Sequence, residues 1–472
     1  MGGAMRLWFH WFKVVSQLRG TCSRKKTYAW LVIALVGFCV RPDLAGVTSF
    51  IRAGFVKERL YKRLLDMFHS PALNLEKLTN IWIKLALTLF RPVTYQGYLL
   101  LVADGLKIPK EGRKMPGVKK LHQSSTDNSK PAFIMGHSFQ AVGLLVHGVG
   151  QAVASIPLVS RIHEGIVWTN LRRLTLLDKL VCLLTPIQGI LAKKTILVAD
   201  AYYASSKIIL PLLDGGHHLV TRVRSNAVGF QKASAAIEKR RGRPRKYGNK
   251  IELSKQWSRK KNFITAPSPV YGDKNTSIEY LVLDLLWRSV GKEVRFVLVK
   301  HPTRGRIILM TTWVSMDPLD VIRIYGYRFK IECSFKSAIH TLGAYYYHFW
   351  MMDMNPLKRN SGDQFMHMKK KEYRDAVERK MGAYHRYVQI GVVAQGILLY
   401  LAISFHRLVW KKFGSWMRTM KTDQAPSELV VAQALRSTLP EFLMDSPEDH
   451  NLKKMLVAKI EPSRAPGFRL SA

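Results

Sequence analysis

Acidic residues are scarce in this chain of 472 residues: Asp and Glu number 32, against 74 Lys and Arg. The resulting formal charge of +42 repels itself unless a polyanion neutralises it. That shortage points to nucleic acid as the partner, since each neutralised phosphate releases counterions. A membrane surface is the alternative. Cysteines are few as well. Cys22, Cys39, Cys182 and Cys333 lie far apart, and no pair has metal-ligand spacing, which argues against a zinc site. Isolated thiols fit a reducing cytoplasm, acting as small core residues. No internal repeat is present. A clean membrane-spanning run is also missing. Trp30–Val40 is about a dozen residues, too short to cross a bilayer. Val388–Phe405 is long enough, but it contains Gln389, Gly391, Gln395, Gly396 and Ser404 and has basic residues at both ends. It reads as a buried core helix. Apolar residues, by contrast, are plentiful: 47% of the chain is hydrophobic, enough for large cores and several domains. Small basic scaffolding proteins lack that content.

The period of the apolar residues divides the chain. Residues 1–95 have helical spacing in Ala29–Ala53, Leu60–Phe68 and Leu78–Phe90, with Lys and Arg on the other faces. This suits a helical N-terminal DNA-binding domain, and a solvated basic face has the same pattern. Residues 96–225 predict strands at Leu99–Ala103, Phe133–Leu145, Gly148–Val159, Ile196–Ala199 and His218–Arg224. Helices are predicted over Thr169–Leu191 and Ser205–Leu213, the second stopped by Gly215-Gly216. Gly105–Asn128 reads as a polar, basic loop. A mixed sheet with helices on its faces is the natural α/β solution. Residues 226–316 interrupt this order with further strand-like runs, a β-rich inserted subdomain. Asp317-Pro318 then opens a helix carrying Ile322, Tyr325, Arg328 and Glu332 on one face. Residues 317–410 complete the core, and 411–472 read as a basic C-terminal tail.

Three acids stand in informative settings. Asp104 ends the apolar run Tyr98–Ala103, Asp200 ends Ile196–Ala199, and Glu332 sits on the predicted helix. Two carboxylates at strand ends and one on a helix suit a two-metal phosphoryl-transfer site. Each ion takes several hard oxygen ligands, and two ions about 3.5–4 Å apart can hold both the attacking and the leaving oxygen. Taken singly, each acid is equally a turn, cap or surface residue. The loop after Asp104 is dense in Gly, Pro and Lys, so its backbone, with Lys107 and Lys110, can approach phosphates. Tyr202 and Tyr203 after Asp200 can stack on an unpaired base or pack in a core. The run Lys239-Arg240-Arg241-Gly242-Arg243-Pro244-Arg245-Lys246 contains an AT-hook-like core, Arg241-Gly242-Arg243-Pro244. Minor-groove insertion, phosphate contact through Arg241, Arg243, Arg245 and Lys246, and a solvated loop are its three readings.

Four segments together resemble the DDE transposases of bacterial insertion sequences, in the hairpin-forming group whose signature is Tyr-x2-Arg-x3-Glu-x6-Lys. They are Leu101–Lys114 around Asp104, Phe133–Phe139, Ile196–Ala204 around Asp200, and Tyr325-Gly-Tyr-Arg328-Phe-Lys-Ile-Glu332. The resemblance spans roughly residues 25–405. It implies a ribonuclease H-like core with a β-rich insertion before Glu332. It also implies two Mg²⁺ ions, replaceable by Mn²⁺, held by Asp104, Asp200 and Glu332. Arg328 would contact a phosphate and Tyr325 the DNA backbone. In hairpin-forming relatives a Trp of the insertion takes a flipped base; Trp257, Trp287 and Trp313 are the local options, with core packing as their other role. The signature Lys falls on Ile339, so Lys336 or His340 would have to serve in its place.

The implied activity is cut-and-paste transposition. Water first frees a 3′-OH at the element end. That hydroxyl then attacks the opposite strand, giving a hairpin, or target DNA. The implied partners are double-stranded DNA at the terminal inverted repeats and target, with the protein a homodimer on paired ends and not membrane-bound. The implied location is the bacterial cytoplasm, at the nucleoid. A catalytically inactive, transposase-derived DNA-binding protein is the rival reading, supported by Ile339. A basic membrane protein anchored by 388–405 is the third.

Overall fold

The computed structural model describes residues 3–123, 131–171, 174–233, 245–273 and 275–464. It is a mixed α/β structure with 13 α-helices among those residues. The chain forms two compact units. A sheet unit comprises Val93–Asp104 and Leu174–Ile331, and a helix-rich unit comprises Met1–Pro92, Gly105–Arg173 and Glu332–Ala472.

The sheet unit begins with a hairpin between Thr94–Tyr95 and the strand Tyr98–Pro109. Its turn holds Gln96 and Gly97 at φ 46° and 84°, the left-handed pair a tight hairpin needs. Three apolar runs then lie side by side in parallel. Leu99–Val102 pairs with Thr195–Val198, and Ile196–Ala199 pairs with His218–Thr221. All five residues of Thr195–Ala199 are buried, as expected for a central parallel strand. The helices Leu176–Leu191 and Ser206–Asp214 make the connections. Thr175 and Asp178 form a reciprocal capping box at the start of the first. Gly216, at φ 71°, ends the second, as the sequence predicts.

The described residues of 226–316 are β-rich. Their strands join the same sheet instead of standing apart. Gly305–Thr311 pairs antiparallel with His218–Arg222, Lys292–His301 follows, then Ser277–Trp287. Val228–Lys232 and Tyr247–Glu252 extend that end. Ile308, Leu309 and Met310 are buried, so the insertion carries the apolar face onward.

The helix-rich unit is organised by the helix Lys371–Ser404, 34 residues long. Its 18-residue apolar window is long enough to cross a membrane, but 78% of it is buried among the unit's own elements. Its two interior glutamines are satisfied there. Gln389 donates to the Leu158 carbonyl and accepts from Arg161, and Gln395 donates to the Ser334 carbonyl. This is the buried core helix read from the sequence. The helices Lys25–Val40, Leu75–Leu89 and Glu428–Asp445 and the strand Val153–Ile162 pack around it. Gly396 is required, because a Cβ would overlap the Trp82 ring. Trp82 is fixed in turn by its Nε1 donating to the Pro157 carbonyl at 2.9 Å.

Two further expectations are corrected in this unit. Gly105–Asn128 is not all loop. The strand continues to Pro109, and Lys119–His122 pairs with Phe133–Gly136. The stretch 411–472 is not simply a tail. Glu428–Asp445 buries Val430, Leu435, Leu439 and Phe442, with Phe442 5.7 Å from Trp8. Apolar residues at helical spacing outweigh the basic flanks.

Candidate active site

The parallel register sets the site. Val102 is opposite Val198, and Ala199 is opposite Thr221. Asp104 follows the last parallel-paired residue of its strand by two positions, Asp200 follows Ala199, and Arg222 follows Thr221. The three residues therefore come just past the parallel-paired stretches of three adjacent strands, along one ledge. Asp200 leaves its strand to cap a single 3₁₀ turn, its Oδ1 accepting from the Tyr202 amide at 2.9 Å. The Asp200 carbonyl accepts from Thr221 Oγ1 at 2.7 Å, fixing the ledge from the next strand. Tyr203 is buried and Tyr202 is half exposed.

Tyr325 and Arg328 complete the site in this unit. Asp317 caps the helix Pro318–Gly326, accepting from the Leu319 amide at 2.8 Å, with Pro318 in the first turn. Both features match the sequence expectation. The expected single helix is, however, two. Pro318–Gly326 ends, Tyr327 and Arg328 form a turn, and Phe329–His340 begins. Gly326 weakens the helix there, and the Arg328 amide bonds the Tyr325 carbonyl at 3.0 Å in a tighter turn. Arg328 Nη1 donates to Asp104 Oδ2 at 3.1 Å, both side chains about four-fifths buried. Burial raises the Tyr325 hydroxyl above its ordinary range. Arg328, which also bonds it, and Arg222 oppose the rise, and Asp200 adds to it. Tyr325 therefore lies within electrostatic reach of both arginines and of Asp200.

Arg222 is the residue that sequence reading missed. Nothing in His218–Arg224 marks it; only the register, 22 residues after Asp200, brings it to the ledge.

Glu332 belongs to the helix-rich unit, in the first turn of Phe329–His340 and four residues after Arg328. Lys336 is exposed one turn further along, and Ile339 is half buried. Lys107 is exposed, with Nζ donating to the His122 carbonyl. Arg245 and Lys246 are exposed; Arg241 and Arg243 lie outside the described residues.

Lys110, expected at a DNA surface, is buried. Its Nζ donates to the Tyr345 and Tyr347 carbonyls and sits 3.7 Å from the Tyr347 ring centre. Alternation along the extended chain puts it on the face of buried Ile108, while Lys107 faces out.

Asp104 and Asp200 carry the hard carboxylate oxygens that Mg²⁺ or Mn²⁺ prefers. Among the described residues, no group of three or more His, Cys, Asp or Glu side chains is placed to hold a metal ion. Arg328 already supplies a positive charge to Asp104, so an ion at this carboxylate shares it with the guanidinium or displaces it.

Residues 175–344 match the family described as Transposase DDE domain. The match covers a little over a third of the chain and includes Asp200, Arg222, Tyr325, Arg328 and Glu332. Asp104 lies before it. No curated protein matches the chain.

Proposed function

Proceeding from the transposase DDE domain in residues 175–344, we propose that the chain is a DNA transposase that cleaves and rejoins strands at the ends of an insertion element. The observation that carries this reading is the ledge of Asp104, Asp200 and Arg222, with Arg328 bonded to Asp104. Two carboxylates flanked by guanidinium groups suit a phosphodiester, with cation sites and phosphate-oxygen donors close together.

Asp104 and Asp200, with Glu332 as third ligand, would hold divalent ions, Mg²⁺ or Mn²⁺. Such ions supply charge that stabilises phosphoryl transfer. Arg328 and Arg222 would grip non-bridging phosphate oxygens, and Tyr325 would donate its hydroxyl to the backbone beside them. Lys336 would take the phosphate role of the missing signature Lys, and Lys107, Arg245 and Lys246 would neutralise flanking phosphates, Arg241 and Arg243 with them. The strand order is compatible with a ribonuclease H-like core. A homodimer on paired ends, a hairpin intermediate and a bacterial nucleoid location belong to this proposal as its finer parts.

The test is cleavage of DNA carrying the element's own ends, in Mg²⁺ and in EDTA, by wild type and by Glu332→Gln. Metal-dependent nicking lost in the variant supports the reading. The rival is a DNA-binding protein without activity, favoured by Ile339 and by the Arg328–Asp104 ion pair. Tight binding by wild type with no nicking in Mg²⁺ selects it.

A further inference from the structure

The segment after the helix Phe329–His340 buries every second residue. Tyr345, Tyr347, Phe349 and Met351 are 0–4% exposed. Between them Tyr346 is half buried and His348 exposed, Trp350 is 61% exposed and Met352 83%. One side of this strap is core. The other is a row of flat or polarisable side chains, Tyr346, His348, Trp350 and Met352, standing in water.

The row is braced. The Met351 amide bonds the Lys114 carbonyl at 2.9 Å, and the Leu357 amide bonds the Arg113 carbonyl at 2.8 Å. Lys114 Nζ donates to the Met352 carbonyl at 3.1 Å, and Arg113 Nε to the Leu357 carbonyl at 3.0 Å. The Trp350 indole is seated over Gly112. A Cβ there would be 2.9 Å from Trp350 Nε1 and 2.6 Å from Met115 Sδ. The missing side chain at 112 lets the ring lie on this loop, with one edge against it and much of its surface open.

Its surroundings are basic. Residues 105–122 and 346–363 carry Lys107, Arg113, Lys114, Lys120, Lys358 and Arg359 at exposed or half-buried positions against Glu111 and Asp353, while Lys110 is buried and Lys119 is paired with Asp363. Phe133, half exposed, has Lys120 Nζ 4.2 Å above its ring. Exposed aromatics interleaved with cations suit an unpaired nucleic-acid strand, whose bases have open faces and whose phosphates need charge. A paired duplex hides those faces.

We propose that Trp350, flanked by His348 and Met352 and backed by Arg113 and Lys114, is a stacking site for the unpaired bases of a DNA strand. It rests on the transposase reading, which supplies DNA as the substrate, and assigns a place for bases released when a strand end is opened.

The test compares a fully paired duplex with the same duplex bearing an unpaired thymidine tail. Binding is measured by fluorescence anisotropy in Ca²⁺, with wild type, Trp350→Ala and Trp350→Phe. Trp350→Ala should weaken tailed DNA about tenfold and leave paired DNA unchanged, with Phe restoring most of the loss. Equal weakening on both DNAs, or no weakening, overturns the stacking site. So does a wild type that binds both alike, which leaves the transposase reading standing. A wild type that binds neither overturns both. If the row instead joins two copies, Trp350→Ala will lower the sedimenting mass of the free protein, and the proposal falls.

Discussion

Asp104 and Lys110 lie six residues apart on one run of chain and meet opposite fates. Asp104, two residues past its parallel pairing, is bonded to a guanidinium and about one-fifth exposed. Lys110 has turned inward, where it contacts two carbonyls and a tyrosine ring. Burial pushes its amine down to about 7. The helix-rich unit treats Arg161 likewise, giving it Gln389, Thr79 and a carbonyl, with burial lowering it to about 10. Both of these buried cations are met by neutral oxygens, whereas Asp104 carries an ion pair beside Asp200 on the ledge.

That contrast is open to tests. The largest effect is expected at the ledge. Arg328→Ala should slow strand cleavage by about 10²-fold or more, and Arg328→Lys should recover little, because an ammonium lacks the planar fork. Single-turnover nicking of end DNA measures this; near-normal rates in the alanine variant would remove Arg328 from the chemistry.

Next in size is Lys110→Ala, which leaves two carbonyls without their donor and opens a cavity. A loss on the order of 2–4 kcal/mol is expected in urea unfolding, with duplex affinity unchanged after correction for the unfolded fraction. The pH dependence sharpens it. An amine whose folded pKa is lowered holds fewer protons when folded than when unfolded, so its cost is full below about pH 7. That cost is relieved as pH rises from about 7 towards the ordinary lysine range. Wild type should therefore gain stability over this interval relative to Lys110→Met. Identical pH profiles would mean that Lys110 is not desolvated.

Smaller again is Lys107→Ala, the outward neighbour. Stability should hold within about 0.5 kcal/mol. The slope of log affinity against log salt should fall by about 0.9 if Lys107 contacts one phosphate. A stability loss matching Lys110→Ala would erase the distinction between the two faces. Arg245→Ala with Lys246→Ala should lower the same slope by about twice that amount if both touch phosphates; an unchanged slope would make them a solvated turn.

What the sequence made legible follows from local rules. Apolar runs ended by Asp104 and Asp200 mark buried parallel strands, Asp317-Pro318 marks a helix start, and Gly215-Gly216 marks a stop. What it hid depends on pairing across long separations. Arg222 joins the ledge only through the parallel register. Lys110 turns inward only because the strand outlasts Asp104. The Tyr325–Glu332 stretch has helical spacing, yet Gly326 breaks it, so Arg328 reaches Asp104 from a turn. The helix Glu428–Asp445 packs on the helix Lys371–Ser404, a partner surface outside its local sequence pattern.

The central claim is that Asp104 and Asp200 share one metal-dependent DNA-cleaving site. Asp200→Asn keeps the side-chain shape and removes the charge. It should abolish nicking of end DNA in Mg²⁺ and in Mn²⁺, while gel-shift affinity in Ca²⁺ stays close to wild type, and Asp104→Asn should behave in the same way. Wild-type nicking by either variant would contradict the account.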